Sequence, residues 1–198
     1  MADTKISALT ALTAADTATT DEIAIVDTSA AQTKKQTVAE ARRTFGPVLV
    51  AEYTTTGGTS IPFTGIPAGV KRITILIKQL SASGTSNWLV QIGDSGGLET
   101  SGYLSSCAQG GGTTDATAGF IINRSTVAAV TYQAKIVLDL ENAANFTWIS
   151  SGLLTGAGEA GSLNAGQKSL NAELDRLSIV PANGSDTFDV VAVSISYE

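Results

Sequence analysis

The chain has 198 residues, 43% of them hydrophobic and only 15% charged, with a net charge of −6. An acidic balance gives no counterion-release drive toward nucleic acid, and no stretch approaches the roughly 18 apolar residues of a membrane-spanning helix. A single cysteine, Cys107, excludes an intrachain disulfide framework, and the absence of histidine excludes Ser-His-Asp and Cys-His nucleophiles and His-ligated zinc.

The composition changes at Gly46. Residues 1–45 contain no glycine and no proline, and all 20 glycines and 4 prolines lie from Gly46 onward. This predicts an N-terminal segment, 1–45, and a body, 46–198. The segment has five Lys/Arg against six Asp/Glu, and the body seven against twelve. Asp3 and Lys5 interrupt the start and no apolar run follows, so no secretory signal is expected. Thr, Ser, Gly and Asn take the place of surface charge, a composition that fits a surface covered by partners.

In chain order, Ile23, Ile25 and Val26 predict a short strand, and the polar stretch 27–32 turns the chain into a second, basic strand at 33–38. Residues 39–43 (AEARR) have good helix propensity, with Thr37 as N-cap and Glu40 three residues later. A hairpin and one helical turn bury too little apolar surface to be stable alone and need a host surface.

From Val48 the pattern is alternation. Ile73, Ile75 and Ile77 share one face, opposite Arg72, Thr74 and Lys78. Tyr132, Ala134, Ile136, Leu138 and Leu140 share another, and Val191, Val193, Ile195 and Tyr197 a third. Weaker runs occur at 48–55, 60–64, 88–93, 119–124, 146–152 and 174–180, separated by Gly/Ser/Thr/Asn clusters. About nine strands without a long helix predict an all-β fold, an antiparallel β-sandwich of jelly-roll type. Residues 94–117 and 153–172 read as long loops, where a sandwich carries its contacts.

Motifs for chemistry are weak. Residues 156–161 (GAGEAG) match G-x-G-x-x-G, but the residues that follow open no helix, and Glu159 would face a pyrophosphate. Residues 161–169 (GSLNAGQKS) resemble a phosphate-binding loop in which Gln167 puts Lys168 out of register, and read instead as a flexible loop. Asn123, Asn145 and Asn183 begin accidental glycosylation triplets. Trp88, Tyr132, Phe146 and Trp148 sit on strand segments and read as core, which leaves Tyr103, in the first long loop, as the exposed candidate ligand contact. Asp94, Glu99 and Asp115 lack the spacing of a calcium loop and read as solvated carboxylates. Cys107 reads as a small buried or half-buried residue. No cofactor, metal site or catalytic group is expected.

In the N-terminal segment, residues 5–9 (KISAL), 21–27 (DEIAIVD) and 33–38 (TKKQTV) resemble the N-terminal segment of many tailed-bacteriophage fibre and appendage proteins. The body is similar to a C-terminal β-domain of phage tail-fibre-like virion proteins at 63–73 (FTGIPAGVKRI), 101–104 (SGYL), 117–122 (TAGFII), 174–177 (LDRL), 183–189 (NGSDTFD) and 194–198 (SISYE). The resemblance implies a non-enzymatic virion protein on the particle surface, assembled in the host cytoplasm and commonly homotrimeric. Its N-terminus would dock onto a capsid or tail protein, with no nucleic acid bound and no membrane insertion. Docking would use strand addition by Ile23, Ile25, Val26 and Val38 and charge contacts from Lys34, Lys35, Arg42 and Arg43, four charges that otherwise form a solvated face. With no shaft repeat between the two parts, the expected form is a short appendage, displaying its sandwich to a host-surface glycan. The alternatives are a capsid decoration or head fibre protein and a free carbohydrate-binding module.

Overall fold

The computed structural model describes the backbone of Glu22–Asp27 and Gln32–Thr37 and all of residues 46–198. The helix expected at 39–43 and the docking positions Val38, Arg42 and Arg43 lie outside the described residues. The chain divides into two compact units, Met1–Pro47 and Val48–Glu198.

In the first unit, β1 (Glu22–Asp27) and β2 (Gln32–Thr37) form an antiparallel hairpin that sets Ile23 opposite Gln36, Ile25 opposite Lys34 and Val26 opposite Thr33. Among the described residues neither strand pairs with a third.

The second unit is all-β and antiparallel, with no helix among the described residues. Its strands are β3 (Val48–Leu49), β4 (Tyr53–Thr55), β5 (Ile61–Thr64), β6 (Arg72–Ala82), β7 (Trp88–Asp94), β8 (Gly97–Leu98) and β9 (Leu104–Gln109). The series continues with β10 (Gly112–Ala116), β11 (Phe120–Ile121), β12 (Tyr132–Asn142), β13 (Thr147–Gly156), β14 (Ser162–Ser169), β15 (Arg176–Pro181) and β16 (Phe188–Tyr197). A nine-stranded sheet runs β10-β9-β14-β13-β12-β6-β16-β3, with β4 also on β16. A five-stranded sheet runs β11-β7-β15-β5, with β8 on β7.

The two sheets share one main core, beside a smaller buried cluster of Leu89, Cys107 and Ile121. The larger contributes Ile73, Ile75, Ile77, Tyr132, Ile136 and Trp148, and the smaller Ile61, Trp88, Val90, Phe120 and Ile179. The period-two reading holds for β6, β12 and β16, because burying alternate apolar side chains is what fixes their register. One slip has a local cause. Ile77 and Leu80 both point inward although three residues apart, because β6 carries a bulge there: Ile77 and Leu80 face Ala134 and Tyr132, only two apart.

The two long loops of the sequence reading are strands. Residues 94–117 hold β8, β9 and β10, and residues 153–172 hold the end of β13 and all of β14. The segment read as a flexible loop at 161–169 is therefore a strand inside the large sheet, and the glycines at 156–161 join β13 to β14 in a hairpin. Trp88, Tyr132 and Trp148 are buried as expected, with Phe146 half-buried and Cys107 buried.

Candidate interaction surface

Strands β9 and β14 were missed because their polarity is inverted. On β14, Ser162, Asn164 and Lys168 point inward, while Leu163 and Ala165 point out. On β9, Ser105, Cys107 and Gln109 are inside, while Leu104, Ser106 and Ala108 are outside. Three of the inward polar groups bond backbone, while the Asn164 amide is buried without a partner among the described residues. Ser105 Oγ accepts from the Ile121 amide at 2.9 Å, and Ser162 Oγ donates to the Ile122 carbonyl at 2.7 Å. Gln109 Oε1 accepts from the Arg124 amide at 2.8 Å, and its Nε2 donates to Ala160 and Ser125 carbonyls. They satisfy backbone groups of β11 and the segment after it that no ladder reaches. Gly166 completes the fit, since a Cβ there would stand 2.8 Å from the Leu104 carbonyl and 2.9 Å from the Phe120 ring.

The consequence lies on the outer face of the large sheet. Register sets Lys135, Leu153, Leu163 and Ala108 in one row, Val137, Ser151, Ala165 and Ser106 in the next, and Asp139, Ile149, Gln167 and Leu104 in the third. Leu104 is 66% exposed, Leu163 62% and Leu153 59%, with Ile149 and Leu76 also exposed. Two broad depressions cover this face. One of ≈ 620 Å³ is lined by Leu104, Asp115, Ile149 and Gln167, and one of ≈ 650 Å³ by Gln133, Lys135, Leu153 and Leu163. Outward positions on β9, β14 and β13 carry no charge; Lys135 and Asp115 stand at opposite margins, on β12 and β10. At the far corner, Arg72 Nε bonds Asp139 at 2.7 Å and its Nη1 lies 3.3 Å from Glu198.

Tyr103 is not exposed, which corrects its reading as a ligand contact. Its ring packs edge-on against Phe120 at 5.0 Å, and Lys168 Nζ lies 5.4 Å above it. The hydroxyl accepts from the Ile92 amide at 2.8 Å and is within 3.0 Å of the Glu99 carbonyl, to which it donates. Burial pushes the phenol well above its ordinary range. Glu99 pairs with Lys168 at 3.5 Å and accepts from Asn171 at 3.2 Å, so this cluster fastens the approach to β9 onto the end of β14.

Asp94 accepts from the amides of Gly96 and Ala172, at 2.8 and 3.0 Å. Asp115 is exposed on β10, and among the described residues no three acidic or sulfur side chains converge on a metal position. Burial raises the Cys107 thiol. Of the residues expected to dock, Ile23, Ile25 and Val26 fall on β1 and Lys34 and Lys35 on β2. The Asn123 triplet is closed off by burial, its Oδ1 accepting from the Trp88 amide at 2.6 Å.

No known protein family, curated protein or solved structure matches this chain. The outer sheet face is thus its best-defined candidate surface: broad, apolar at its centre, and suited to contact by shape and exclusion of water. Its signal in the sequence was the alternation Leu104, Ser106, Ala108 and Leu163, Ala165, Gln167, with the apolar members pointing the wrong way for a core.

Proposed function

We propose that the chain is a non-enzymatic bacteriophage virion structural protein, of the short tail-fibre or appendage type. It docks to the particle through residues 1–45 and displays residues 46–198. The observation that carries this reading is the division of labour along the chain. A two-stranded hairpin with no third strand among the described residues is suited to completing another protein's sheet. Behind it is a β-unit with a core of its own, and β3 begins at Val48, which leaves no room for a shaft. The resemblance of both parts to phage appendage proteins supports the same assignment, and the body is read as homotrimeric on that resemblance.

The displayed unit is best described as a sandwich with jelly-roll habits. Its chain passes between the sheets at β4–β5, β5–β6, β6–β7, β8–β9, β10–β11, β11–β12, β14–β15 and β15–β16, while the run β12-β13-β14 is a simple meander. Host adhesion is the leading role for the display. The missing shaft favours a second reading, a decoration or head fibre held close to the shell. A free carbohydrate-binding module fits less well, because Tyr103 is buried and the outward positions of β9, β14 and β13 include no aromatic for sugar stacking.

Binding of the fluorescently labelled chain to cells of the phage's host separates the first two readings. Saturable binding, competed by unlabelled protein, is the expected result. Absence of binding to every susceptible strain would remove adhesion and leave decoration.

A further inference from the structure

We infer that the outer face of β9, β14 and β13 is the contact between copies of this chain, packed head to tail around a three-fold axis. The inference rests on the homotrimer part of the reading above and names the surface that builds it; a virion location is not required.

The first argument is the inversion of β9 and β14. A strand that points serine, asparagine and lysine inward and leucine outward forgoes apolar burial twice in a lone molecule. Leu104, Leu153 and Leu163, each more than half exposed, regain that burial only if the face is covered.

The second is size. From β10 to β6 the face is six strands wide, about 24 Å at ordinary strand spacing, and Ile149 to Thr155 spans about 20 Å. That is about 500 Å² in projection and more in accessible surface, shared between the two neighbours of each copy. Each contact then lies at or below the small end of specific interfaces, near the roughly 1,200 Å² total where affinities are weak.

The third is charge, which selects the occupant. The chain carries −6, so two copies repel wherever their charged surfaces meet. Three adjacent strands without an outward charge offer the approach on which that repulsion is least. An anionic lipid surface would call for a basic rim, and here the rim supplies Lys135 beside Asp115 and Asp139. Lys135 and Asp115 lie at opposite margins, one row apart. The β12 margin carries Lys135 and an Asp139 already paired with Arg72, and the β10 margin carries Asp115. A heterologous contact can therefore set Lys135 of one copy against Asp115 of the next, and three such contacts close a ring.

The test is the mass of the purified full chain by light scattering and sedimentation at about 100 µM, a level that populates contacts of micromolar affinity. Three times the 20.2 kDa chain mass is expected. Leu153→Glu with Leu163→Glu should reduce it to one chain mass with unchanged far-UV circular dichroism. Val127→Glu, an exposed position off these strands, should leave it at three. Lys135→Glu should weaken assembly, and adding Asp115→Lys should restore it.

A wild-type chain of single mass would overturn self-association. Three chains persisting in the double glutamate variant would overturn the face while leaving the trimer intact. A two-chain mass would overturn the head-to-tail arrangement. Should the double variant fail to fold, Ala165→Cys supplies the same test with a minimal change. Its thiol should react with a maleimide about ten-fold slower in the assembled than in the diluted, single-chain state, and equal rates would overturn the contact. Loss of virion attachment on removing residues 1–45 bears on the mounting role alone, so either idea can fail without the other.

Discussion

Tyr103 holds the approach to β9 in place by three different interactions. Its hydroxyl serves the Ile92 amide and the Glu99 carbonyl, its edge-on partner is Phe120, and Lys168 lies over its ring while paired with Glu99. Tyr103→Phe keeps the ring and leaves those backbone groups unpaired in a dry site, so a loss of about 1–3 kcal/mol is expected in urea unfolding. The same burial sets a pH dependence. Tyr103 and Tyr132 both have phenols raised above their ordinary value of 10.0, mainly by desolvation. A raised acid group binds its proton more tightly folded than unfolded. Its contribution is therefore fully present below the unfolded value and is lost as pH climbs through the folded one. The unfolding midpoint should fall above about pH 10, and less steeply in Tyr103→Phe; ultraviolet absorbance of tyrosinate and circular dichroism measured together would check this. Sequence could not place Tyr103. Its neighbours Ser101 and Gly102 look like loop, and the partners that bury it, Phe120 and Lys168, arrive from distant strands.

At the scale of elements, what was legible depended on polarity. The strands β6, β12 and β16 present isoleucine, leucine and valine to the core at period two, and their inward faces are legible in the sequence alone. The strands β9 and β14 obey the same period with the polar members inside, so the pattern that marks a strand was present while the rule that assigns its face failed. The β6 bulge likewise leaves no mark but the exposed Lys78 and Gln79 between Ile77 and Leu80. Gly166 shows how closely β14 is fitted. Any side chain there would press on the Leu104 carbonyl and on Phe120 across the core. Gly166→Ala should cost about 1–3 kcal/mol by overpacking, read as a lower urea midpoint at unchanged slope. An unchanged midpoint would mean that β14 lies farther from β11 than described.

For the whole molecule, the sequence break at Gly46 and the division at Pro47 and Val48 lie side by side. The change from glycine-free to glycine-rich chain is also the change from the hairpin of β1 and β2 to sheets that need tight turns, as at Gly110 and Gly111, both with positive φ between β9 and β10. The partner proposed for docking was not legible, because a strand edge offers backbone groups that any complementary strand can meet. The two-part account therefore turns on what residues 1–45 do. The most direct measurement is the copy number of a chain lacking them in purified particles assembled in its presence, compared with the full chain. The account predicts a folded truncated protein that stays in solution and is missing from particles. Incorporation at the full-chain copy number would contradict it.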